Sequence, residues 1–164
     1  MPAIIRARSF AVLPVLLVAV LLASMLSAPT ASAMTRQKRI GHGYSIAFDQ
    51  RGDRYAYGAA GPNRFDCSGL VYFAYHKAGF RHIPRSSSAQ ARHMRRIKRG
   101  GMRRGDFIFL YSGSARPSNV YHVGIFAGWS HGRRVVLHAP RSGERVKRER
   151  LWTNHWFAGT LRGA

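Results

Sequence analysis

The stretch Phe65-Asp66-Cys67-Ser68-Gly69-Leu70-Val71 organises the rest of the chain, because it contains the only cysteine and opens an apolar run. A turn-rich segment, residues 58–63, leads into it. A single cysteine cannot form a disulfide within its own chain, so it is either an inert core residue or a reactive thiol. The sequence around Cys67 has to decide between these two interpretations.

A helix is predicted directly behind the cysteine, over residues 68–78. Its apolar residues recur at helical spacing, and Gly79 supplies a C-terminal cap. Cys67 then precedes the first turn, where unpaired N–H groups and the helix dipole stabilise a thiolate. Gly69 is a poor helix former, and two explanations for it stay open: access for a substrate, or a simple turn of the chain.

Length and charge limit the class of protein. The 164 residues are enough for one domain with a core, and 46% of them are hydrophobic, which excludes a disordered chain. The formal net charge is +21, from 27 Lys and Arg against 6 Asp and Glu. This excess favours anionic partners such as nucleic acid, acidic lipid or an acidic wall polymer. A solvated basic surface without such a partner is the alternative.

Residues 1–33 have the pattern of a secretory signal peptide. Two arginines form a positive start, an apolar stretch runs from Phe10 to Leu26, and Ala31-Ser32-Ala33 is a small-x-small cleavage site. Cleavage after Ala33 would leave a secreted chain that begins at Met34. Its net charge falls from +21 to +19, since the removed segment carries two arginines and no acid. An uncleaved membrane anchor is the alternative, because the apolar stretch lies at the short limit for a span.

The remaining chain is predicted to contain a short basic leader, residues 34–43, and one domain, residues 44–164. Further helices are predicted over residues 44–51 and from Ser86 or Ser87 to about Met94.

A run of basic residues follows the last of these helices. Residues 92–104 hold seven basic residues and no aromatic one. This composition indicates a solvated face and lacks the stacking platform of proteins that bind single-stranded nucleic acid. No specific nucleic-acid partner is therefore expected.

From Asp106 onward the pattern changes to strands. The candidates are Phe107–Tyr111, Val120–Ala127, Arg133–Ala139, Glu144–Arg150 and Phe157–Leu161. The first is apolar throughout, as in a strand buried on both faces, and the charge of the fourth suits the edge of a sheet. Helices followed by strands predict an α+β domain, with N-terminal helices packed on a mostly antiparallel sheet.

Two histidines are placed symmetrically about a predicted hairpin turn, residues 128–132. His122 lies eight residues before its centre, Ser130, and His138 lies eight after it. In a symmetric hairpin the two residues oppose each other, with Cβ atoms about 4.5–5.5 Å apart. Gly124 leaves space on the same face, so a helix packed there is predicted to bring Cys67 to His122.

This arrangement predicts nucleophilic catalysis. Cys67 attacks a carbonyl carbon, His122 takes the thiol proton, and His138 fixes the ring plane and tautomer of His122. The backbone N–H of Cys67 and a tyrosine hydroxyl are candidate oxyanion donors. Purely structural histidines are one alternative. Zinc held by the same three residues is another, but no CxxC or HExxH pattern supports it, so neither a metal nor a cofactor is expected.

Six pieces of sequence carry a resemblance to a known family. They are Arg54–Gly58, Gly61–Val71, Pro84–Ser87, Arg104–Phe109, His122–Ile125 and His138–Pro140. In this order, over residues 44–161, they resemble the NlpC-type family of papain-like cell-wall cysteine peptidases. The resemblance implies a truncated papain-like fold and the same three roles for the cysteine and the two histidines. It also implies four residues at the substrate or oxyanion site: Tyr55, Asp66, Ser68 and Arg85.

The function that this resemblance implies is hydrolysis of amide bonds in peptidoglycan stem peptides, often the bond between γ-D-glutamate and a diamino acid. We expect a secreted, wall-associated monomer with no membrane contact after signal cleavage, held to anionic wall polymers by its basic surface. Arg54, Tyr57 and Arg104 depart from the family pattern near the cleft. The alternatives are a non-catalytic basic protein that binds wall or nucleic acid on the same scaffold, and an amidase or acyltransferase of the same fold.

Overall fold

The structure, a computed structural model, describes residues 34–162. The predicted signal peptide, residues 1–33, lies outside the described residues. The helices are α1 (Arg36–Asp49), α2 (Cys67–Lys77) and α3 (Ser87–His93). The strands are β1 (Arg54–Tyr55), β2 (Arg64–Phe65), β3 (Arg95–Ile97), β4 (Phe107–Tyr111), β5 (Val120–Ser130), β6 (Arg133–His138), β7 (Lys147–Arg150) and β8 (Trp156–Thr160).

Helix α1 begins at Arg36, so residues 36–43 of the predicted basic leader are helical. Thr35 caps the helix, and its Oγ1 accepts a hydrogen bond from the backbone N–H of Lys38 at 3.4 Å. Four buried residues form a stripe at helical spacing: Ile40, Gly43, Tyr44 and Ala47. The basic residues that suggested a leader lie beside this stripe, and Arg36 donates to the carbonyl of Leu161 at 2.9 Å.

The other two predicted helices are confirmed. Helix α2 begins one residue earlier than predicted, at Cys67, because Asp66 caps it by accepting from the backbone N–H of Gly69 at 2.6 Å. Ser86 caps α3 in the same way through Ala89. None of the helices within residues 34–162 combines the length and apolar character needed to cross a membrane.

Gly69 lies where the start of α2 touches the preceding loop. A Cβ atom at this position would lie 2.0 Å from the carbonyl oxygen of Ala59. The glycine is therefore explained by a close approach of backbone to backbone.

One sheet contains six of the strands, all paired antiparallel, in the order β3-β8-β4-β5-β6-β7. All five predicted strands are present, which confirms the α+β class. The basic run at residues 92–104 was predicted only as a solvated face, but it also contains strand β3. Both edge strands, β3 and β7, are dominated by charged residues, and charge at an edge discourages pairing with other chains.

The helices pack on a single face of the sheet. That face carries Phe107, Phe109, Val123, Ile125 and Leu137. Its opposite face carries a smaller apolar cluster of Ile108, Leu110, Phe126, Val136 and Trp156. His122 pairs with Leu110 and therefore belongs to the second face. The prediction that a helix packs on the face of His122 and Gly124 is wrong.

Candidate active site

The hairpin that carries both histidines is tighter than predicted. Its turn consists of His131 and Gly132, both with positive φ, as a two-residue hairpin turn requires. The last paired positions of β5 and β6 are Ile125 and Leu137, and a bulge interrupts the ladder between residues 126 and 128. Continued beyond this pair, the register places His138 opposite Gly124.

The predicted opposition of His122 and His138 is therefore wrong by two residues. An even shift keeps both side chains on the same face, whereas a shift of one would have separated them. The two residues are diagonal neighbours, within reach for long side chains. Gly124 supplies the room, since a Cβ there would lie 2.2 Å from Cγ2 of Val136 and 3.3 Å from Cβ of His138.

A chain of hydrogen bonds passes through the two buried rings. His122 Nε2 lies 2.8 Å from His138 Nδ1, and His138 Nε2 lies 2.8 Å from Oε1 of Glu149. The rings stand almost perpendicular, at 87°. Lys147 Nζ lies 3.1 Å from the other carboxylate oxygen of Glu149. Trp152 packs over both rings, with centroid distances of 6.4 Å to His122 and 5.3 Å to His138.

Burial keeps both imidazoles neutral at pH 7. It lowers the pKa of His122 to about 3, with a smaller effect from His138. Burial, and then the charge of Lys147, lower the pKa of His138 to about 4. These directions follow from the cost of placing a charge in a poorly solvated site.

The thiol is neutral as well. Burial raises the pKa of Cys67, and the Asp66 carboxylate acts in the same direction. Hydrogen bonds with the backbone of Val123 and with Ser68 oppose this effect without reversing it. The N–H of Ser68 in the first turn of α2 lowers the pKa of Cys67 as predicted, but in the protein without substrate burial outweighs this effect.

Cys67, His122 and His138 line one cavity of about 470 Å³. No hydrogen bond joins the sulfur to either ring among residues 34–162, and His122 Nε2 is already bonded to His138. Nδ1 is thus the His122 nitrogen left for a proton from outside the ring pair. A cavity of about 490 Å³ lies elsewhere, lined by Arg39, Phe80 and others, without the cysteine or the histidine pair.

Sequence reasoning assigned no site role to six residues that line the cavity of the histidine pair: Tyr121, Arg141, Glu144, Lys147, Glu149 and Trp152. Glu149 had a signal, because it is the only acid in the basic strand β7. For Trp152 we find none, since it lies in the irregular segment between β7 and β8.

A second cavity beside Cys67, of about 460 Å³, shares Tyr55 and Tyr121 with the cavity that His122 and His138 line. Tyr55, which was predicted to line the active site, therefore borders both cavities. Burial raises the pKa of Tyr55, with additional effects from Cys67 and Asp66, so its hydroxyl stays protonated and can donate a hydrogen bond.

The other predicted substrate residues, Asp66, Ser68 and Arg85, line this second cavity as one network. Arg85 donates to both oxygens of Asp66, at 2.9 and 2.7 Å, and to Ser68 Oγ at 3.0 Å. The backbone N–H of Gly58 and that of Gly69 also donate to Asp66. Burial alone would raise the pKa of Asp66, but these donors outweigh it and hold that pKa below its usual value. The network fixes the start of α2, and a substrate role for its members stays a prediction.

No group of three or more His, Cys, Asp or Glu side chains within residues 34–162 has the geometry of a metal site. In the histidine pair, two of the four ring nitrogens are used in the bond between the rings.

Helices packed on one face of an antiparallel sheet, with a cysteine at a helix start and a histidine pair on the central strands, define a papain-like domain. More narrowly, the chain belongs to the NlpC/P60 family, whose model matches residues 52–163. This confirms the resemblance found in the sequence.

Several similar proteins are named as enzymes, whereas the solved structure of RipD from Mycobacterium tuberculosis is described as that of a non-catalytic NlpC/p60 domain protein. A probable endopeptidase of Corynebacterium glutamicum is 38% identical over 120 residues, which cover 73% of this chain and 52% of that protein. Murein DD-endopeptidase MepH of Escherichia coli is 32% identical over 111 residues, covering 65% and 38%. The NlpC/p60 domain of the peptidoglycan hydrolase SagA matches with a TM-score of 0.64 at 28% identity, covering 74% of this chain and 98% of that one. The chain spans about half, or less, of the length of these two curated relatives.

Proposed function

We propose that this chain is a cysteine peptidase that hydrolyses amide bonds in peptidoglycan stem peptides. The observation that carries the proposal is the cavity shared by the only cysteine and a hydrogen-bonded histidine pair. The names of the similar proteins support the substrate class, since they include a murein endopeptidase and a peptidoglycan hydrolase.

In the proposed reaction the Cys67 sulfur attacks the carbonyl carbon of the scissile amide, and its proton passes to Nδ1 of His122. The tetrahedral oxyanion accepts a hydrogen bond from the backbone N–H of Cys67, which at the first residue of α2 has no partner within the helix. The Tyr55 hydroxyl is the second donor. His122 then gives its proton to the leaving amine, and the C–N bond breaks to leave a thioester.

Water completes the cycle. His122 Nδ1 takes a proton from water, hydroxide adds to the thioester, and the thiolate leaves and regains the proton. Both histidines and the thiol are neutral before substrate arrives, so the ion pair of thiolate and imidazolium forms only during the reaction. Substrate that fills the cavity therefore has to stabilise a charge separation that the empty site disfavours.

The bond we favour is that between γ-D-glutamate and a diamino acid, because this is the frequent target of the family that the sequence resembles. Arg141 and Lys147 line the cavity of Cys67, His122 and His138, called here the histidine-side cavity. Both pair with Glu144, and their positive charge would attract the carboxylates of a stem peptide in competition with that pairing. A D,D cross-link, the bond named for the E. coli relative, is the competing target.

Mass spectrometry of defined muropeptides incubated with the parent protein and with Cys67→Ala tests the proposal. We expect the parent to produce fragments that identify the bond, and Cys67→Ala to produce none. Identical fragment patterns from both proteins would refute catalysis and favour a non-catalytic wall-binding role.

Secretion and wall association form part of the same proposal. Secretion rests on the pattern of residues 1–33, and N-terminal sequencing of protein from the culture medium should begin at Met34. Wall association rests on the net charge of +19 that remains after cleavage and its excess of Lys and Arg. Sedimentation of Cys67→Ala with purified walls should weaken as salt is added, because salt screens exposed charges. Sedimentation that does not respond to salt would refute an electrostatic role for the basic surface.

A further inference from the structure

His138 is held between two hydrogen-bonding partners, and only one of them is able to choose its tautomer. The ring is 1% exposed, its Nδ1 faces Nε2 of His122, and its Nε2 faces Oε1 of Glu149. A second histidine adapts to either tautomer of its neighbour, since a neutral imidazole has one donor and one acceptor nitrogen. A carboxylate has no such freedom, because it only accepts.

The ionised form of Glu149 is supported by its surroundings. Lys147 Nζ lies 3.1 Å from Oε2 of Glu149 and 2.5 Å from Oε2 of Glu144. The ammonium group thus bridges two carboxylates at the rim of the cavity. Oε1 of Glu149 is left to accept from His138.

The protons of both rings follow from this carboxylate. His138 must carry its proton on Nε2, which donates to Glu149. Its Nδ1 then presents a lone pair, so His122 must carry its proton on Nε2. Nδ1 of His122 is left with a lone pair, which is the state that a proton acceptor needs.

The opposite assignment would stop the reaction. It would place the lone pair of His138 Nε2 against a carboxylate oxygen at 2.8 Å and reverse the bond between the rings. His122 would then carry its proton on Nδ1, where it could not accept one from a thiol. Trp152 packs on both rings and restrains their planes, but a ring face does not distinguish one tautomer from the other.

We propose that Glu149 is a positioning residue that selects the tautomers of His138 and His122, so that Nδ1 of His122 is the proton acceptor. The proposal rests on the proposed function in so far as it assigns a catalytic use to that nitrogen. The tautomers themselves are a property of the protein without substrate.

The chain provides a matched pair of carboxylates for the test. Glu144 and Glu149 both border the histidine-side cavity and both bond Lys147, but only Glu149 contacts a histidine. Ring nitrogen NMR at pH 7 would be recorded for the parent protein and for Glu149→Ala, Glu149→Gln and Glu144→Gln. Kinetics on a soluble muropeptide would be measured for the same four proteins.

We expect one tautomer for each ring in the parent, with the proton on Nε2. Glu149→Ala should give a mixture at both rings and a kcat about 10- to 100-fold lower, with KM changed by less than about twofold. Glu149→Gln keeps the shape, and its amide oxygen can still accept, so it should retain the tautomers and most of the activity. Glu144→Gln removes the same charge and should leave both tautomers as in the parent.

Two results for Glu149→Ala would overturn the proposal: unchanged tautomers in the folded protein, or a rise in KM with kcat unchanged, which would make Glu149 a substrate contact. Mixed tautomers already present in the parent would overturn it too. If Glu149→Ala loses the tautomers that the parent shows but the parent cleaves no muropeptide, the proposed function fails while tautomer selection by Glu149 stands.

Discussion

Replacing Gly69 by alanine should damage both the stability and the activity of the protein. The new Cβ would lie 2.0 Å from the carbonyl oxygen of Ala59 and 3.0 Å from the Cα of Ala60. Both atoms belong to the backbone, so no side chain can rotate away to relieve the overlap. The start of α2 and the loop must separate by about 1 Å or more to reach ordinary contact.

The loss of stability follows from the two hydrogen bonds that the Ala59 carbonyl accepts. It accepts from the backbone N–H of Asp66 at 2.9 Å and from Nη2 of Arg85 at 3.1 Å. Loss of these two hydrogen bonds costs about 2–4 kcal/mol, with Arg85 at the low end because it is partly exposed. The better helix propensity of alanine returns about 1 kcal/mol, so we expect the free energy of unfolding to fall by about 1–3 kcal/mol. Because Cys67 is two residues away, a displacement of about 1 Å should lower kcat on the order of 100-fold.

Gly41→Ala is the matched control. Gly41 is also helical, in α1, but nothing lies within 4 Å of a Cβ placed there. We expect it to raise the free energy of unfolding by about 0.5–1 kcal/mol and leave turnover unchanged. Urea denaturation and muropeptide hydrolysis, measured on both variants, supply the comparison. A Gly69→Ala protein as stable and active as the parent would refute the claim that this contact positions the cysteine.

Three further predictions follow from the electrostatics of the site. Burial places the pKa of His122 at about 3 and that of His138 at about 4, so the unfolded chain binds more protons below pH 6.5 and the folded state loses stability as pH falls. Urea midpoints should show a loss of about 2–4 kcal/mol from pH 7 to pH 5, and the double variant with glutamine at both positions should show a flatter curve. Arg85→Lys keeps the charge but loses the two-pronged bond to Asp66, so thermal unfolding should reveal a loss of about 1–2 kcal/mol; an unchanged midpoint would count against the network. Because burial raises the pKa of Cys67, alkylation by iodoacetamide should be slow at pH 7 and accelerate above pH 9, and a fast reaction at pH 7 would contradict a neutral thiol.

The sequence predicted two of the three helices, five of the strands and the shared cavity of Cys67, His122 and His138, and the hairpin shows why the last prediction held. The predicted turn was too long, and the predicted register was wrong by two positions. Because side chains on a strand alternate with period two, the error left His122 and His138 on the same face. The prediction of a shared site thus depended only on the parity of the register.

Other features depended on contacts between distant parts of the chain, which local patterns do not report. The basic residues 34–43 suggest a leader in the sequence. They are mostly helical in the structure because Ile40 and Gly43 complete the buried stripe of α1 by packing on other elements. The helices were assigned to the wrong face of the sheet, since apolar residues occupy both faces of β4. The pKa direction at Cys67 needed the burial of the sulfur, which the local sequence does not contain.

The acidic residues of this strongly basic chain are concentrated at the site. The whole chain has six, and three of them border the two cavities beside Cys67: Asp66, Glu144 and Glu149. Each is bonded to a basic residue there, and two also organise the chemistry, Asp66 by capping α2 and Glu149 by accepting from His138. In a chain with 27 Lys and Arg, a carboxylate on the surface would offset little of the total charge. A carboxylate beside a buried ring fixes the position of a proton, and a carboxylate at a helix start fixes the backbone there. The acids at this site therefore act through position.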